Sequence, residues 1–324
     1  MKHINAAMAD SRHQISRTEF PMQASTAAKC VATLLLGMLL VTPGHAIGQS
    51  LREGPAQRRI AAASHAMPLP ADMRVERDIA YGPDPAQRLD VYLPPHAEHA
   101  PVIFMVHGGA WMFGDKDSSG VVSNKVAHWL PAGYIVMSTN YRLSPSANPV
   151  EQADDVARAL AFAQSHANRW GADPARFVLI GHSAGAHLVS LLSADPAIAT
   201  HQGARPWLGT VSLDSAAYNV VLLMQSHHLG LYDRVFHADQ DLWREASPTL
   251  RVSRASIPML LVCSSRRSNS CPQADAFAAK AIALGSRATV LPVDKTHMEI
   301  NQQLGTPGSY TDAVDSFLHT IGLK

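Results

Sequence analysis

Short apolar runs and amphipathic stretches alternate along most of this chain. Val75–Ala80 and Arg88–Leu93 switch between apolar and polar residues, as half-exposed strands do, and the turn Gly82-Pro83-Asp84-Pro85 separates them. Pro101–Val106 (PVIFMV) is a continuous apolar run, the pattern of a strand buried on both faces. Ile135–Ser138, Phe177–Ile180, Leu208–Leu213, Pro258–Cys263 and Ala288–Val293 repeat it. Helical periods fill the gaps. Pro149 suits a first helical position, and Val150, Ala153, Ala157, Leu160 and Ala161 follow at three- and four-residue steps. Ala184–Ala194, Gln273–Leu284 and Tyr310–Ile321 read the same way. Strands alternating with helices predict an α/β fold: a mostly parallel sheet with helices on both faces. The stretch Ala216–Leu250 fits no strand–helix unit and carries His227, His228, Tyr232 and Trp243. It is expected as a small insertion over the C-terminal edge of the sheet, where open α/β sheets bind ligands. No internal repeat or second domain is visible.

The beginning of the chain departs from this pattern. Lys29 precedes an apolar run, Val31–Val41, of 11 residues. A bilayer span needs about 20, so the run suits the core of a secretory signal rather than a membrane anchor. Gly44 and Ala46 are small residues placed as a cleavage site requires, and Met22 is an alternative start. Residues 1–46 are therefore expected as a leader, 47–73 as a flexible lead-in and 74–324 as the catalytic domain. The competing reading of the apolar run is a buried helix. Cleavage after Ala46 leaves 324 − 46 = 278 residues, suited to one α/β domain in the periplasm or outside the cell. It also removes Cys30 and leaves Cys263 and Cys271, which in an exported protein read as a disulfide, the alternative being two buried thiols.

Charge narrows the function classes. Lys and Arg number 27 against 26 Asp and Glu, so the formal net charge is +1, which gives no electrostatic case for nucleic-acid binding. With 47% apolar and 16% charged residues the chain is not disordered. There is no Walker loop and no G-x-G-x-x-G, so no cofactor is expected. His227, His228 and His237 lack the spacing of a metal site, and no metal is expected either.

The chemistry is concentrated in three places. Gly181-His182-Ser183-Ala184-Gly185 follows the strand Phe177–Ile180 and opens the helix Ala184–Ala194, the strand–turn–helix setting of a nucleophile elbow. The glycines relieve the crowding of a strained turn, and the helix N-terminus behind Ser183 offers unpaired N–H groups. His107-Gly108-Gly109-Ala110-Trp111 follows the strand Pro101–Val106, and the N–H groups of Gly109, Ala110 and Ala184 are candidates for an oxyanion hole. His107 reads as structural, and Trp111 as a pocket wall or a packing residue. His297, after the strand Ala288–Val293, is the expected base, because the order Ser, Asp, His is the chain order of such sites.

HGGAWMFGDK, NYRLSP at Asn140–Pro145, ADPARFVLIGHSAGAHL and the late histidine together resemble an α/β-hydrolase-fold carboxylesterase. The chain is similar to the hormone-sensitive-lipase-like and bacterial feruloyl-esterase-type groups, and also to the kynurenine formamidases. The resemblance implies a serine esterase acting on small-molecule esters. An aryl-formamidase is the alternative within the enzymes, and a catalytically impaired binding protein the alternative outside them. One element breaks the pattern: the loop that usually supplies the triad acid is Ser264–Cys271, which holds no carboxylate. Asp214, at the end of the preceding strand, is the leading replacement. Asn269 or Ser268, in the usual slot, and Asp275 or Asp294 are the alternatives. Replacing a triad Asp by Asn costs a serine protease about 10⁴ in rate, which favours a relocated carboxylate over Asn269.

Overall fold

In the computed structural model, residues 69–253 and 256–323 are described. The expected leader and most of the expected lead-in lie outside them. Eight strands form one sheet: β1 (Arg74–Ala80), β2 (Arg88–Leu93), β3 (Ala100–Val106), β4 (Ile135–Thr139), β5 (Ala172–His182), β6 (Gly209–Leu213), β7 (Met259–Ser264) and β8 (Ala288–Val293). Their order across the sheet is β1-β2-β4-β3-β5-β6-β7-β8. The pairs β1/β2 and β2/β4 are antiparallel and all others are parallel.

Continuous apolar runs are explained by two cores, one on each face. Val102, Phe104 and Val106 of β3 join a cluster with Leu179, Leu188 and Trp170. The alternate residues Ile103 and Met105 join Val136, Val178, Ile180 and Val211 on the other side. Helices cover both: α1 (Ser119–Trp129), α2 (Pro149–Ser165), α3 (Ala184–Ala194), α4 (Ala197–His201), then α9 (Ser270–Ala283), α10 (His297–Gln302) and α11 (Ser309–Thr320). Helix α2 starts where its sequence places it. Asn148 Oδ1 accepts from the N–H groups of Val150 and Glu151, Glu151 answers with a bond from the Asn148 N–H, and Pro149 occupies the first turn.

The insertion predicted over residues 216–250 consists of four short helices, α5 (Val220–Gln225), α6 (Gly230–Phe236), α7 (Gln240–Glu245) and α8 (Pro248–Arg251). Among the described residues, no helix is long and apolar enough to cross a membrane. The parallel register matters most for function. Val106 pairs with Gly181, His182 with Leu213, Leu213 with Val262, and Ser264 with Val293. Five strands therefore end at one edge, and the segments containing His107, Ser183, Asp214, Arg267 and His297 emerge side by side.

Candidate active site

Ser183 sits at the junction of β5 and α3 with φ 56° and ψ −115°, a conformation that costs a non-glycine residue on the order of 1–3 kcal/mol. Its neighbours make that turn possible. A Cβ at Gly181 would lie 2.3 Å from the carbonyl oxygen of Gly185, and one at Gly185 would lie 2.3 Å from that of Val106. Only glycine lets β5, α3 and the end of β3 approach this closely. The loop after β3 comes against the nucleophile in the same way, since a Cβ at Gly108 would lie 2.9 Å from Ser183 Cβ.

That loop is itself wound tightly. Gly109, Ala110 and Trp111 all have positive φ (125°, 54° and 59°), and the Gly109 carbonyl accepts from the N–H groups of Met112 and Phe113. No described residue accepts from the N–H of Gly109, Ala110 or Ala184, so all three remain available to an incoming oxygen. His107 is buried, stacks on Tyr141 and donates from Nδ1 to the Gly108 carbonyl, while the Tyr141 hydroxyl donates to the His107 carbonyl. Burial pushes the His107 pKa down, so it is a neutral brace for the loop.

His297 opens α10, whose start is fixed by a capping box between Thr296 and Glu299. Its Nε2 is 3.0 Å from Ser183 Oγ, and its Nδ1 is 2.6 Å from Asp214 Oδ2. Asp214 follows β6 with φ 56° and is 1% exposed. Burial alone would raise its pKa. The His297 hydrogen bond, the Arg267 charge and the donors Ser270 and Ser264 outweigh burial and hold it well below the ordinary carboxylate range. Four groups donate to this carboxylate. The Ser264 N–H (2.8 Å) and the Ser270 hydroxyl reach Oδ1, and Arg267 Nη1 (2.6 Å) and the His297 ring reach Oδ2. With Nδ1–H committed to Asp214, Nε2 is the free lone pair facing the Ser183 hydroxyl.

The structure thus brings Ser183, His297 and Asp214 together. Asn269 and Ser268 are exposed on the loop, Asp275 is exposed in the second turn of α9 rather than the first, and Asp294 pairs with Arg266. Trp111 is only 4% exposed. It packs against Tyr232 and Phe236 of α6 and donates from Nε1 to His187 Nδ1, and His187 Nε2 donates to the Ala246 carbonyl. It therefore ties the loop after β3 to the insertion. His228 bonds Asp233, while His227 and His237 are exposed. The buried Cys263 and the partly buried Cys271 form a disulfide across the β7–α9 loop.

Two residues of the site have no counterpart in the sequence reading. His182, inside the elbow motif, donates from Nε2 to the His297 carbonyl, and its ring lies 4.5 Å from the His297 ring. Burial, helped by the neighbouring imidazole, drives its pKa well down and keeps it neutral. Arg267 occupies the loop from which a carboxylate was expected. The signal was the loop itself, which holds no carboxylate although the resemblance places the triad acid there.

Residues 89–204 match the family model BD-FAE. The isoprenylcysteine alpha-carbonyl methylesterase ICME of Arabidopsis thaliana is 29% identical over 270 residues, covering 76% of this chain and 62% of its own. The probable carboxylic ester hydrolase LipM of Mycobacterium tuberculosis is 36% identical over 129 residues, 39% of this chain and 30% of its own. The chain spans roughly half the length of the curated relatives it matches, 45%, 62% and 51% for the three plant methylesterases ICMEL2, ICME and ICMEL1. Among solved structures, esterase B of Lactobacillus rhamnosis superposes with a TM-score of 0.66 at 20% identity, over 82% of this chain and 90% of that one. The metagenomic carboxylesterase EstE1 gives 0.65 at 20% identity, over 84% and 96%. These likenesses identify the fold as that of the α/β-hydrolases.

Proposed function

We propose that this α/β-hydrolase-fold chain is an exported serine esterase that cleaves small-molecule carboxylic esters through an acyl-enzyme. The observation that carries the reading is the unbroken line from Ser183 Oγ through the two nitrogens of His297 to Asp214 Oδ2, at 3.0 and 2.6 Å. Nε2 accepts the Ser183 proton as Oγ attacks the ester carbonyl, and the imidazolium that forms is stabilised by Asp214. The carbonyl oxygen, now carrying negative charge, enters the N–H groups of Gly109, Ala110 and Ala184, each worth about 3–4 kcal/mol to the transition state. Collapse expels the alcohol, which takes the proton back from Nε2. Water then repeats the sequence on the acyl-enzyme, with His297 again as base. His182 supports this by holding the His297 backbone while staying neutral beside a ring that becomes charged.

The relatives are named as methylesterases and ester hydrolases, which favours esters over the formyl amides that the same machinery can open. The binding-protein alternative rested on a missing acid, and the Asp214 carboxylate at His297 favours the enzyme over it. Export is supported by the apolar run Val31–Val41 and by the disulfide, a bond that persists in oxidising compartments.

The test is a fluorophosphonate probe followed by a substrate panel. The purified protein should be labelled at Ser183 and turn over p-nitrophenyl acetate or feruloyl esters faster than N-formylkynurenine, and Ser183→Ala should abolish both. An unlabelled, folded protein defeats the hydrolase reading, and preference for N-formylkynurenine defeats the ester reading. N-terminal sequencing of the native protein should find residue 47 or a near neighbour first; a cytoplasmic chain that keeps Val31–Val41 defeats export.

A further inference from the structure

Arg267 stands in the middle of the loop that joins β7 to α9 and that the Cys263–Cys271 disulfide closes. Its Nη1 donates to Asp214 Oδ2 at 2.6 Å and to the Asp214 carbonyl at 3.1 Å, and lies 3.0 Å from His297 Nδ1. Because the Nδ1 hydrogen is already given to Oδ2, the guanidinium meets that nitrogen as a neighbouring positive charge and not as a hydrogen-bond partner. We infer that Arg267 is a positioning residue of the hydrolytic site: it fixes Asp214 in line with His297 and offsets the carboxylate's charge where it meets the imidazole. The inference rests on the serine-esterase reading above.

The argument is electrostatic. A buried carboxylate alone favours a protonated imidazole in the resting site, and a protonated His297 cannot take the Ser183 proton. A cation on the same oxygen opposes that protonation. The two bonds from one nitrogen to the side chain and main chain of Asp214 also hold the carboxylate against the imidazole. No other charged group reaches either ring nitrogen among the described residues. His182, at the end of β5, is neutral and contacts the carbonyl. Lys125 of α1 bonds Asn301 at the far end of α10, and Tyr310 of α11 bonds the Ile300 carbonyl. Glu299 caps its own helix and, with Asp294, faces Arg266, while Lys295 bonds Gln303.

The experiment is the pH dependence of kcat/KM for p-nitrophenyl acetate between about pH 4 and pH 9 in wild type, Arg267→Gln and Arg267→Lys. A unit charge at this distance, moderated by the 28% exposure of the arginine side chain, predicts that the acidic limb of Arg267→Gln moves up by about one pH unit. KM should stay within about twofold, and Arg267→Lys, which keeps the charge, should stay within about 0.3 unit of wild type. If Arg267→Gln does not fold, Arg267→Met, which keeps much of the stem, takes its place. An acidic limb that does not move overturns the inference, as does an equal displacement in the glutamine and lysine variants, which would make shape and not charge the cause. A wild-type protein without turnover or Ser183 labelling fails earlier and defeats the esterase reading along with the role of Arg267.

Discussion

Asp214→Asn is the substitution that tests the site most directly, because the structure dictates which way the new amide must face. Asp214 accepts four hydrogen bonds, two at each oxygen. An Asn has one oxygen and one NH₂, so one side of the carboxylate must become a donor. On the Oδ1 side the Ser270 hydroxyl can rotate to accept, but the Ser264 backbone N–H cannot. On the Oδ2 side Arg267 cannot accept, but His297 can, by moving its proton from Nδ1 to Nε2. The Ser264 N–H is buried in the backbone and cannot move away, whereas the partly exposed Arg267 side chain can turn to solvent, so the oxygen stays at Oδ1 and the NH₂ turns to the histidine. Nε2 then carries the hydrogen that faces Ser183, and the base is lost with the geometry intact. The same tautomer error costs a serine protease about 10⁴ in kcat, or about 5.4 kcal/mol at 1.36 kcal/mol per decade.

Arg267 also faces the NH₂ in that variant and loses its best acceptor. Its side chain is 28% exposed, so screening limits this loss, and a stability decrease of about 1–2 kcal/mol is expected. Steady-state hydrolysis of p-nitrophenyl acetate should show kcat reduced about 10⁴-fold with KM within a fewfold, and the rate of fluorophosphonate labelling should fall in parallel. Urea unfolding of the same preparation separates lost chemistry from lost fold. A folded Asp214→Asn protein retaining more than a tenth of wild-type kcat would refute both the tautomer argument and the assignment of Asp214.

Lys125 is fully buried under α10, with the Gly120 carbonyl and the carbonyl and side-chain oxygens of Asn301 as acceptors, and burial pushes its pKa from 10.5 down to about 7. Between those values the unfolded chain binds a proton that the folded chain does not, so its contribution to stability is full above pH 10.5 and falls as pH drops towards 7, by at most about 1.4 kcal/mol per unit. Lys125→Met should flatten that slope in urea unfolding at pH 7.5 and 9.5, and an unchanged slope would assign it elsewhere. Replacing both cysteines (Cys263→Ala with Cys271→Ser) reopens the loop that carries Ser264, Arg267 and Ser270. Chain entropy for so short a loop puts the stability loss at about 2.5 kcal/mol, read as a lowered Tm, with a severalfold fall in kcat. Two free thiols in the unreduced wild type would contradict the bond itself.

The strands were legible because burial on both faces leaves no room for polar residues. Six were marked by continuous apolar runs and β1 and β2 by alternation, and most limits agree within a residue or two. β5 is the exception: it begins at Ala172, five residues before Phe177, through Asp173-Pro174-Ala175-Arg176, a polar segment no apolar pattern marks. Two burial expectations differ: β2, paired on both sides, is buried beyond Arg88, and β8, at the edge of the sheet, is only partly buried. α1 was also passed over. It buries Asn124 and Lys125 beside its valines, so its inner face does not look apolar. At the site, Ser183 and the glycine loop were visible as local motifs at strand ends, and His297 by its place after the last strand and the chain order Ser, Asp, His. Asp214 could only be ranked among alternatives, since it meets a histidine 83 residues away and nothing in the one-dimensional pattern fixes that pairing. His182 and Arg267 act on neighbours across the sheet edge, so the sequence held their identities but not their partners.

The change of acid and the change of loop are one exchange of hydrogen-bonding character. β6 and β7 are neighbours, with Leu213 opposite Val262, so the ends of both strands lie within reach of His297. A carboxylate in the loop after β7 needs donors around it, whereas a carboxylate after β6 needs that loop to be a source of donors. Ser264–Cys271 supplies a backbone N–H, a hydroxyl and a guanidinium, and holds no acceptor side chain with a charge of its own. A second carboxylate placed there would face Asp214 as a like charge, and one of the two would be driven neutral. The absence of a second carboxylate from this loop therefore favours an ionised Asp214 beside His297, and the disulfide closes the loop whose three donors reach it.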